Sequence, residues 1–487
     1  MAVISLKVFD TKSGSLQPCW INLRNKSGNN YSPVGWEGDI SVISKVDVGG
    51  RVMIAGHSWF AISGSCELPG GVGDCILSIS LNPEFNSIQH SLNLYLGRLA
   101  CRVSVSLPGS EEIPGFVAAD LRVQNTSAGV ALVEAKSANI QLVQLLAGIS
   151  LEEEDKQSLS TLAELQGFGG LVWRERCLVS GGTLNQQGVC GSLALLDCHR
   201  PVFPLGINNS NAQNWSIFDW TAQCHRVRGV VVWADADRDI GHQAEAICAA
   251  LEGEIDAYEV IDFDTDRLGG LKLWFQLANS GCFLPLVGAS AKTRNTTCIG
   301  STRTWIQLEN SSSWKAEGKG AQESWVLGIK KGRTSVSKLP FFFTNSITKE
   351  KTGWVVEVVI GGLPDDGFVE ILNSDGTVAS KVDLVADLEC NQIAQVRIEG
   401  DFSHIAAVLK NCSGNIISHD SFVALPNWQQ GPNSSNLDTS ELQFRIQEGI
   451  DWAMQVSSGE PSGEMLYRLD LFSRCLKRLR GEDRDFV

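Results

Sequence analysis

The chain has 487 residues, 43% of them hydrophobic and 20% charged, a composition that fits a soluble globular protein and excludes disordered and collagen-like classes. Its 40 Lys and Arg against 55 Asp and Glu leave a formal charge of −15, a field that repels polyanions and argues against nucleic acid as a partner. No run approaches the roughly 20 apolar residues of a membrane span, and the first dozen residues lack a basic-then-apolar leader, so the sequence predicts a non-secreted, cytoplasmic protein that does not engage a membrane.

Residues 1–105 are short apolar runs such as ISLKVF, CWINLR, CILSISL and CRVSVSL, punctuated by Gly, Asn, Ser and Pro, and this period-two pattern predicts an N-terminal β-sandwich-like domain. From 106 to 345 strand-like and helical runs alternate. GVALVEA reads as a strand leading into a helical ANIQLVQLLAG, SLSTLAELQGF as a helix before GGLVWRE, and GVVVWAD as a strand before HQAEAICAALEG. In that last helix Ala244, Ile247, Cys248 and Leu251 form one apolar stripe. IDAYEVIDF, RLGGLKLWFQLANSG and LPLVGAS continue the alternation, which predicts an α/β domain with a mainly parallel sheet or barrel. Sites in such folds lie at the carboxyl ends of the strands, where Asp235, Asp262, Asp264 and Ser290 fall.

Residues 346–428 return to β patterning as a C-terminal β domain, with the NSDG turn marking a hairpin. Residues 429–487 are a polar linker and two helices: Asp438 with Glu441 three residues on can cap the first, and Ser462 opens the second, whose basic end at Lys477, Arg478 and Arg480 suits the helix dipole.

Local chemistry signals are sparse. The 14 Cys include no CxxC and read as reduced, buried thiols. The seven His form no HxH, HxxxH or HExxH, so no metal pair sits on one strand or helical turn. Asp235, Asp237 and Asp239 could begin a calcium loop, but Ile240 stands where the sharp turn needs Gly and Ala246 where a bidentate Glu is needed. No GxSxG, GxGxxG or GxxxxGK[ST] occurs. Trp215, Trp220, Trp305 and Trp314 are candidate exposed aromatics for a sugar or an extended ligand.

Several stretches together carry a more specific signal: GFVAADLRV, ALVEAKSANIQLVQLLAG, CGSLALLDCHRPVFPL, RGVVVWADAD, EGEIDAYEV, LWFQLANSGCFLPLVGAS, IGSTRTWIQL and LGIKKGRTSVSKLP. In order and spacing the chain resembles the CehA/McbA-type branch of the PHP-like metal-dependent hydrolases. The resemblance implies a distorted (β/α) barrel holding divalent metal that activates water, with His and carboxylate ligands on recognisable motifs.

At those motifs the chain departs. The Asp-x-His-x-His strand end reads Asp120, Leu121, Arg122, Val123, Gln124, and the expected acidic ligand of the next unit falls near Ala138. Gly-His becomes Gly191 and Ser192; Trp-Ala-His-Pro becomes Trp233, Ala234, Asp235, Ala236; and Gly-Ser-Asp-Ala-His becomes Gly288, Ala289, Ser290, Ala291, Lys292. A guanidinium, an amide and an ammonium cannot replace imidazoles as ligands. The former-site positions are therefore Asp120, Arg122, Gln124, Ser192, Asp235, Ser290 and Lys292, with no metal and no cofactor expected. Arg122 and Lys292 would attract an anion or pair with Asp120 or Asp235, so the pocket is either plugged or repurposed. The expectation is a pseudoenzyme that binds or scaffolds an unknown protein or small anionic ligand. The alternative is a hydrolase of a small ester, amide or phosphoester, using Zn or Mn at Asp120, Asp219, Asp235 and His225, or Lys292 as nucleophile or base.

Overall fold

The computed structural model describes residues 3–34, 50–107, 112–148, 172–174, 177–198, 200–207, 215–236, 241–263, 271–309, 314, 319–363, 365–400, 402, 404–425, 438–457 and 461–482. Alternation dictates its first elements. Ile4, Leu6 and Val8 are buried along the strand Val3–Asp10 while Lys7 faces solvent. This strand lies between Ser65–Pro69 and Ala100–Val105 in a three-stranded sheet. Its apolar face shares one core cluster with Cys19, Ile21, Leu23, Leu77 and Ile79 of a second, six-stranded sheet.

The largest sheet has 16 strands and is mixed. Its path runs Leu286–Gly288, Ala257–Val260, Val230–Ala234, Gly191–Leu196, Cys177–Gln187, Leu142–Gly148, Phe116–Val123, Arg303–Gln307, Thr334–Ser337, Ile416–Asp420, His404–Asn411, Gly367–Asn373 and Val378–Leu384. Parallel pairing, expected to predominate, falls in two main runs, 116–123 with 142–148 and 177–187, and 230–234 with 257–260 and 286–288, with one further short parallel pair of 177–187 with Gly206–Ile207. Between them Cys177–Gln187 and Gly191–Leu196 form a hairpin. A connection as short as Gly188–Cys190 can only return the chain antiparallel, and the glycines at its two ends supply the positive φ values of 37° and 139° that the turn needs. The end strand of this path comes back against Arg303–Gln307 through side chains. The Gly288 N–H donates to Thr304 Oγ1 (2.6 Å), and the Thr304 hydroxyl donates to Gly288 O (2.9 Å). A Cβ at Gly288 would stand 2.7 Å from Arg303 O, so only glycine permits this approach.

Seven helices occur among the described residues: α1 (Ala128–Ser137), α2 (Ile217–Arg226), α3 (Ala244–Leu251), α4 (Lys272–Asn279), α5 (Lys319–Lys330), α6 (Ser440–Val456) and α7 (Gly463–Arg480). None is long and apolar enough to cross a membrane. The stripe residues expected on α3 are buried, but so is every other residue of the helix, Glu245 included: it is enclosed on all sides among α2, α4, α6 and α7 residues rather than amphipathic. The C-terminal helices follow the sequence, with Ser462 Oγ capping Met465 N (3.3 Å) and Gly481 ending α7 at φ 70°. Before α6 the Asp438 carboxylate accepts from Ser440 N (3.0 Å), although Thr439 occupies the cap position.

One assignment reverses. GVALVEA is helical in α1, and the run after it is the strand Leu142–Gly148. Ser127 Oγ accepts from Val130 N (3.4 Å), the cap that starts a helix there, and LVQLLAG is buried on both faces, a situation in which strand periodicity vanishes. The helix expected at SLSTLAELQGF lies outside the described residues.

Candidate functional site at the strand ends

Four strands converge on the site by their carboxyl ends. Phe116–Val123 carries Asp120 and Arg122, Val230–Ala234 leads into Asp235, Ala257–Val260 carries Glu259, and Leu286–Gly288 leads to Ser290 and Lys292. A bulge between Asp120 and Val123 breaks the register with Leu142–Gly148. Asp235 has φ 56°, a left-handed turn immediately after its strand.

The centre is the Arg122 guanidinium, 5% exposed. Its Nη1 and Nη2 donate to Asp235 Oδ1 and Oδ2, both at 3.0 Å, and Nη1 also donates to Glu259 Oε2 at 2.7 Å. The same Glu259 oxygen accepts the Asp235 N–H (3.2 Å). Burial alone would loosen the Arg122 proton, but the charges of Glu259 and Asp235 outweigh it and hold that proton more tightly than usual. Burial pushes Glu259 above the ordinary glutamate value, the Arg122 charge opposes this, and the like charge of Asp235 adds to it.

Asp120 does not join this pair. Its Oδ1 accepts from the N–H groups of Ser290 (3.1 Å) and Arg122 (3.3 Å), and its Oδ2 from Gly300 N–H (2.8 Å). Burial still raises its carboxyl to about 6. Nearby Arg303 is fully buried, donates to Gly300 O through Nε (3.3 Å) and Nη2 (3.1 Å), and is lowered to about 10 by burial.

Lys292 turns away from both Asp120 and Asp235. Its ammonium lies 3.4 Å from Glu134 Oε2 of α1 and donates to Thr297 O (2.8 Å) and Arg294 O (3.4 Å), with Lys292 and Glu134 both fully buried. Glu134 accepts the Gly50 N–H (2.5 Å), and burial raises its carboxyl. The expectation that Lys292 would face Asp120 or Asp235 is thus corrected: α1 supplies a carboxylate of its own. Gln124 is half-buried, and its N–H donates to Lys292 O (2.8 Å). Ser192 is buried opposite Ala234, one residue from Asp235. Ala138 is the C-cap of α1 and brings no ligand.

The alternative set is not assembled. Asp219 lies in the first turn of α2, where its carboxylate accepts the Ser216 N–H (3.4 Å). His225 contacts Asp256 (3.0 Å), whose carboxylate also accepts the Val231 N–H (2.8 Å). That places His225 at the amino ends of strands 230–234 and 257–260, about 13 Å along the strand from Asp235. The hydrogen bond to Asp256 raises the His225 pKa. The tryptophans are also corrected: Trp220, Trp305 and Trp314 are buried and only Trp215 is half-buried, because strand and helix cores absorb them.

A divalent metal, which the sequence resemblance implies, does not fit this donor set. No three His, Cys, Asp or Glu side chains among the described residues converge to hold one. Asp235 and Glu259 are both engaged by Arg122, and the carboxylate of Asp120 is filled by backbone N–H groups.

No family model matches the chain, and no curated protein does. Among solved structures it is similar to a two-domain Bacteroides vulgatus protein described as containing a predicted PHP-like metal-dependent phosphoesterase. That likeness has 10% identity and a TM-score of 0.36, over 64% of this chain and 95% of the other. The lesion-specific endonuclease PfuEndoQ from Pyrococcus furiosus is similar at 12% identity and a TM-score of 0.27, over 42% of this chain and 56% of that one. PsfC from Pseudomonas syringae is similar at 11% identity and a TM-score of 0.29, over 45% of this chain and 98% of that one.

Proposed function

We propose that the chain is a PHP-like hydrolase homologue of the CehA/McbA type that has given up metal-dependent hydrolysis and acts as a binding or scaffolding protein. In this reading a distorted (β/α) barrel spans 106–345, between an N-terminal β-sandwich-like domain to 105 and a C-terminal β domain to 428, with linker and helices beyond. One observation carries the reading: a buried guanidinium bonds both carboxylate oxygens of Asp235 and one of Glu259, where a catalytic centre would need those carboxylates open. Arginine cannot activate water as a metal does, and with its proton held so tightly Arg122 is no general acid or base. Lys292, enclosed by Glu134 and two carbonyls, is not presented to a substrate as a nucleophile. Since both cations are compensated by the chain's own groups, partner binding is assigned to outer surfaces rather than to an anion in the old pocket.

The test is metal content by mass spectrometry of tag-free protein purified without chelator, with thermal melting in the presence and absence of EDTA. The reading expects no stoichiometric zinc, manganese or iron and an unchanged melt. Stoichiometric metal with a chelator-sensitive melt overturns it, as does ester or phosphoester hydrolysis that disappears in Asp120→Ala.

A further inference from the structure

Two cysteines touch where α2 packs on the large sheet. Cys224 lies on the buried face of α2 with Ile217, Trp220 and Thr221, a spacing that keeps all four on one side of the helix. Cys198 comes just after the strand Gly191–Leu196, and the intervening Asp197 has φ 57°, a left-handed turn that carries the chain out of the sheet. Although 26 positions apart in sequence, the two sulfurs stand 3.3 Å from each other, with the Cys198 thiol donating to Cys224 Sγ. Gly229 makes room for both. A Cβ there would stand 2.6 Å from Cys224 Sγ and 2.9 Å from Cys198 Sγ, and the Gly229 N–H donates to Cys224 O (3.0 Å).

A second pair supplies the contrast. The thiols of Cys248 on α3 and Cys475 on α7 are also hydrogen-bonded to each other, and these residues are 0% and 1% exposed. Cys224 is equally enclosed at 0%, but Cys198 reaches the surface at 8%. Of the two pairs, only 198–224 therefore combines a sulfur–sulfur contact with an edge that a small solute can reach. The contact with Cys198, and then burial, hold the Cys224 proton well above the ordinary thiol value, so Cys224 is not the sulfur that meets an oxidant first.

We propose that Cys198 and Cys224 form a peroxide-sensitive dithiol that closes into a reversible disulfide between the end of Gly191–Leu196 and α2. The Cys198 thiolate attacks one oxygen of hydrogen peroxide, the O–O bond breaks, and Cys198 becomes a sulfenic acid while the other oxygen leaves as water. The Cys224 sulfur then attacks Cys198 Sγ, the S–O bond breaks, and the hydroxyl leaves as water with the Cys224 proton. Two thiols are oxidised by two electrons, and one peroxide is reduced to two waters. The sulfurs have to close from 3.3 Å to about 2.05 Å, a movement of about one ångström. Closing this long a loop restricts the unfolded chain, so the oxidised form is the more stable one. Leu196 pairs with Val230, at the opposite end of Val230–Ala234 from Asp235, so the inference stands apart from the reading of the strand-end site.

Peptide mapping of the full chain tests it. Reduced, tag-free protein is treated with a small molar excess of hydrogen peroxide, the remaining thiols are alkylated in denaturant, and chymotryptic peptides are weighed by mass spectrometry. The expected product is a Cys198–Cys224 linked pair that dithiothreitol releases, with Cys248 and Cys475 alkylated and the far-UV circular dichroism unchanged. Melting rises by a few degrees over the reduced protein. Cys224→Ser abolishes the link and the rise in melting, and leaves Cys198 as a sulfenic acid that dimedone captures. Replacing the exposed Cys412 by Ser leaves the link intact. The proposal is overturned if both thiols of the folded wild type remain open to alkylation, if Cys198 passes to sulfinic acid without linking, or if the link forms only in urea. A Cys248–Cys475 link that forms as fast overturns it equally, since access would then select nothing.

Discussion

Arg122 and Lys292 stand on adjoining strand ends, tied by the Val123–Lys292 bridge and the Gln124 N–H to Lys292 O bond, yet the interior compensates them in different ways. Arg122 has two carboxylates, one of them bidentate, at 2.7–3.0 Å. Lys292 has one carboxylate at 3.4 Å and two backbone carbonyls. A planar fork with five donors can hold two acids in fixed geometry, whereas a compact ammonium takes whatever oxygens surround it. The Arg122 centre is therefore the more rigid of the two, and the Lys292 centre the more tolerant.

Removing the guanidinium is the harshest way to break that contrast. Arg122→Ala leaves Asp235 and Glu259 buried together without a counter-charge, and denaturant unfolding should lose about 3–5 kcal/mol. A loss under about 1 kcal/mol would mean that solvent reaches these carboxylates. Lys292→Met should cost less, about 2–3 kcal/mol near neutral pH, because the Glu134 carboxyl can protonate. Its folded pKa, already raised above 4.5, rises further in the variant. Such a group contributes stability below its unfolded value and loses it as pH rises through the folded one, so the deficit should shrink in acid. A deficit independent of pH would remove Glu134 from the account.

Asp120 sharpens the comparison from the side. With its carboxyl at about 6 in the fold against 3.8 unfolded, its contribution is fully present below about pH 4 and lost as pH climbs through about 6, on the order of 3 kcal/mol. Asp120→Asn should flatten that part of the stability profile; an unchanged slope would assign it elsewhere. The smallest effect belongs to His225, which is partly solvated beside Asp256. His225→Gln should cost under about 1 kcal/mol, and only below the raised histidine pKa, where the ring is charged.

Asp235 and Ser290 were legible as strand ends, Asp120 and Arg122 only through the resemblance of their stretch to a family motif, and the structure brings all four together. Glu259 was not, although AYEV offered a signal: a carboxylate inside a fully buried strand needs a partner, and none is local. Glu134 escaped for a different reason. GVALVEA reads as a strand when Ser127 goes unrecognised as a cap, and the reversal places its acid on the wrong element. The 367–384 hairpin and the terminal helices were clear because NSDG and Ser462 act locally, whereas the partner of a buried charge is set by tertiary contacts that no window of sequence contains.

The ladder that passes from Leu286–Gly288 to Val378–Leu384 has a practical consequence for anyone dissecting the chain. Thr334–Ser337 is hydrogen-bonded on one side to Arg303–Gln307 and on the other to Ile416–Asp420. A fragment ending near 345 would keep the first neighbour and lose the second, baring a row of N–H and C=O groups on a strand that is fully buried in the intact protein. Such a fragment would recruit strands from other chains and precipitate, while one carried through 425 would keep that edge covered.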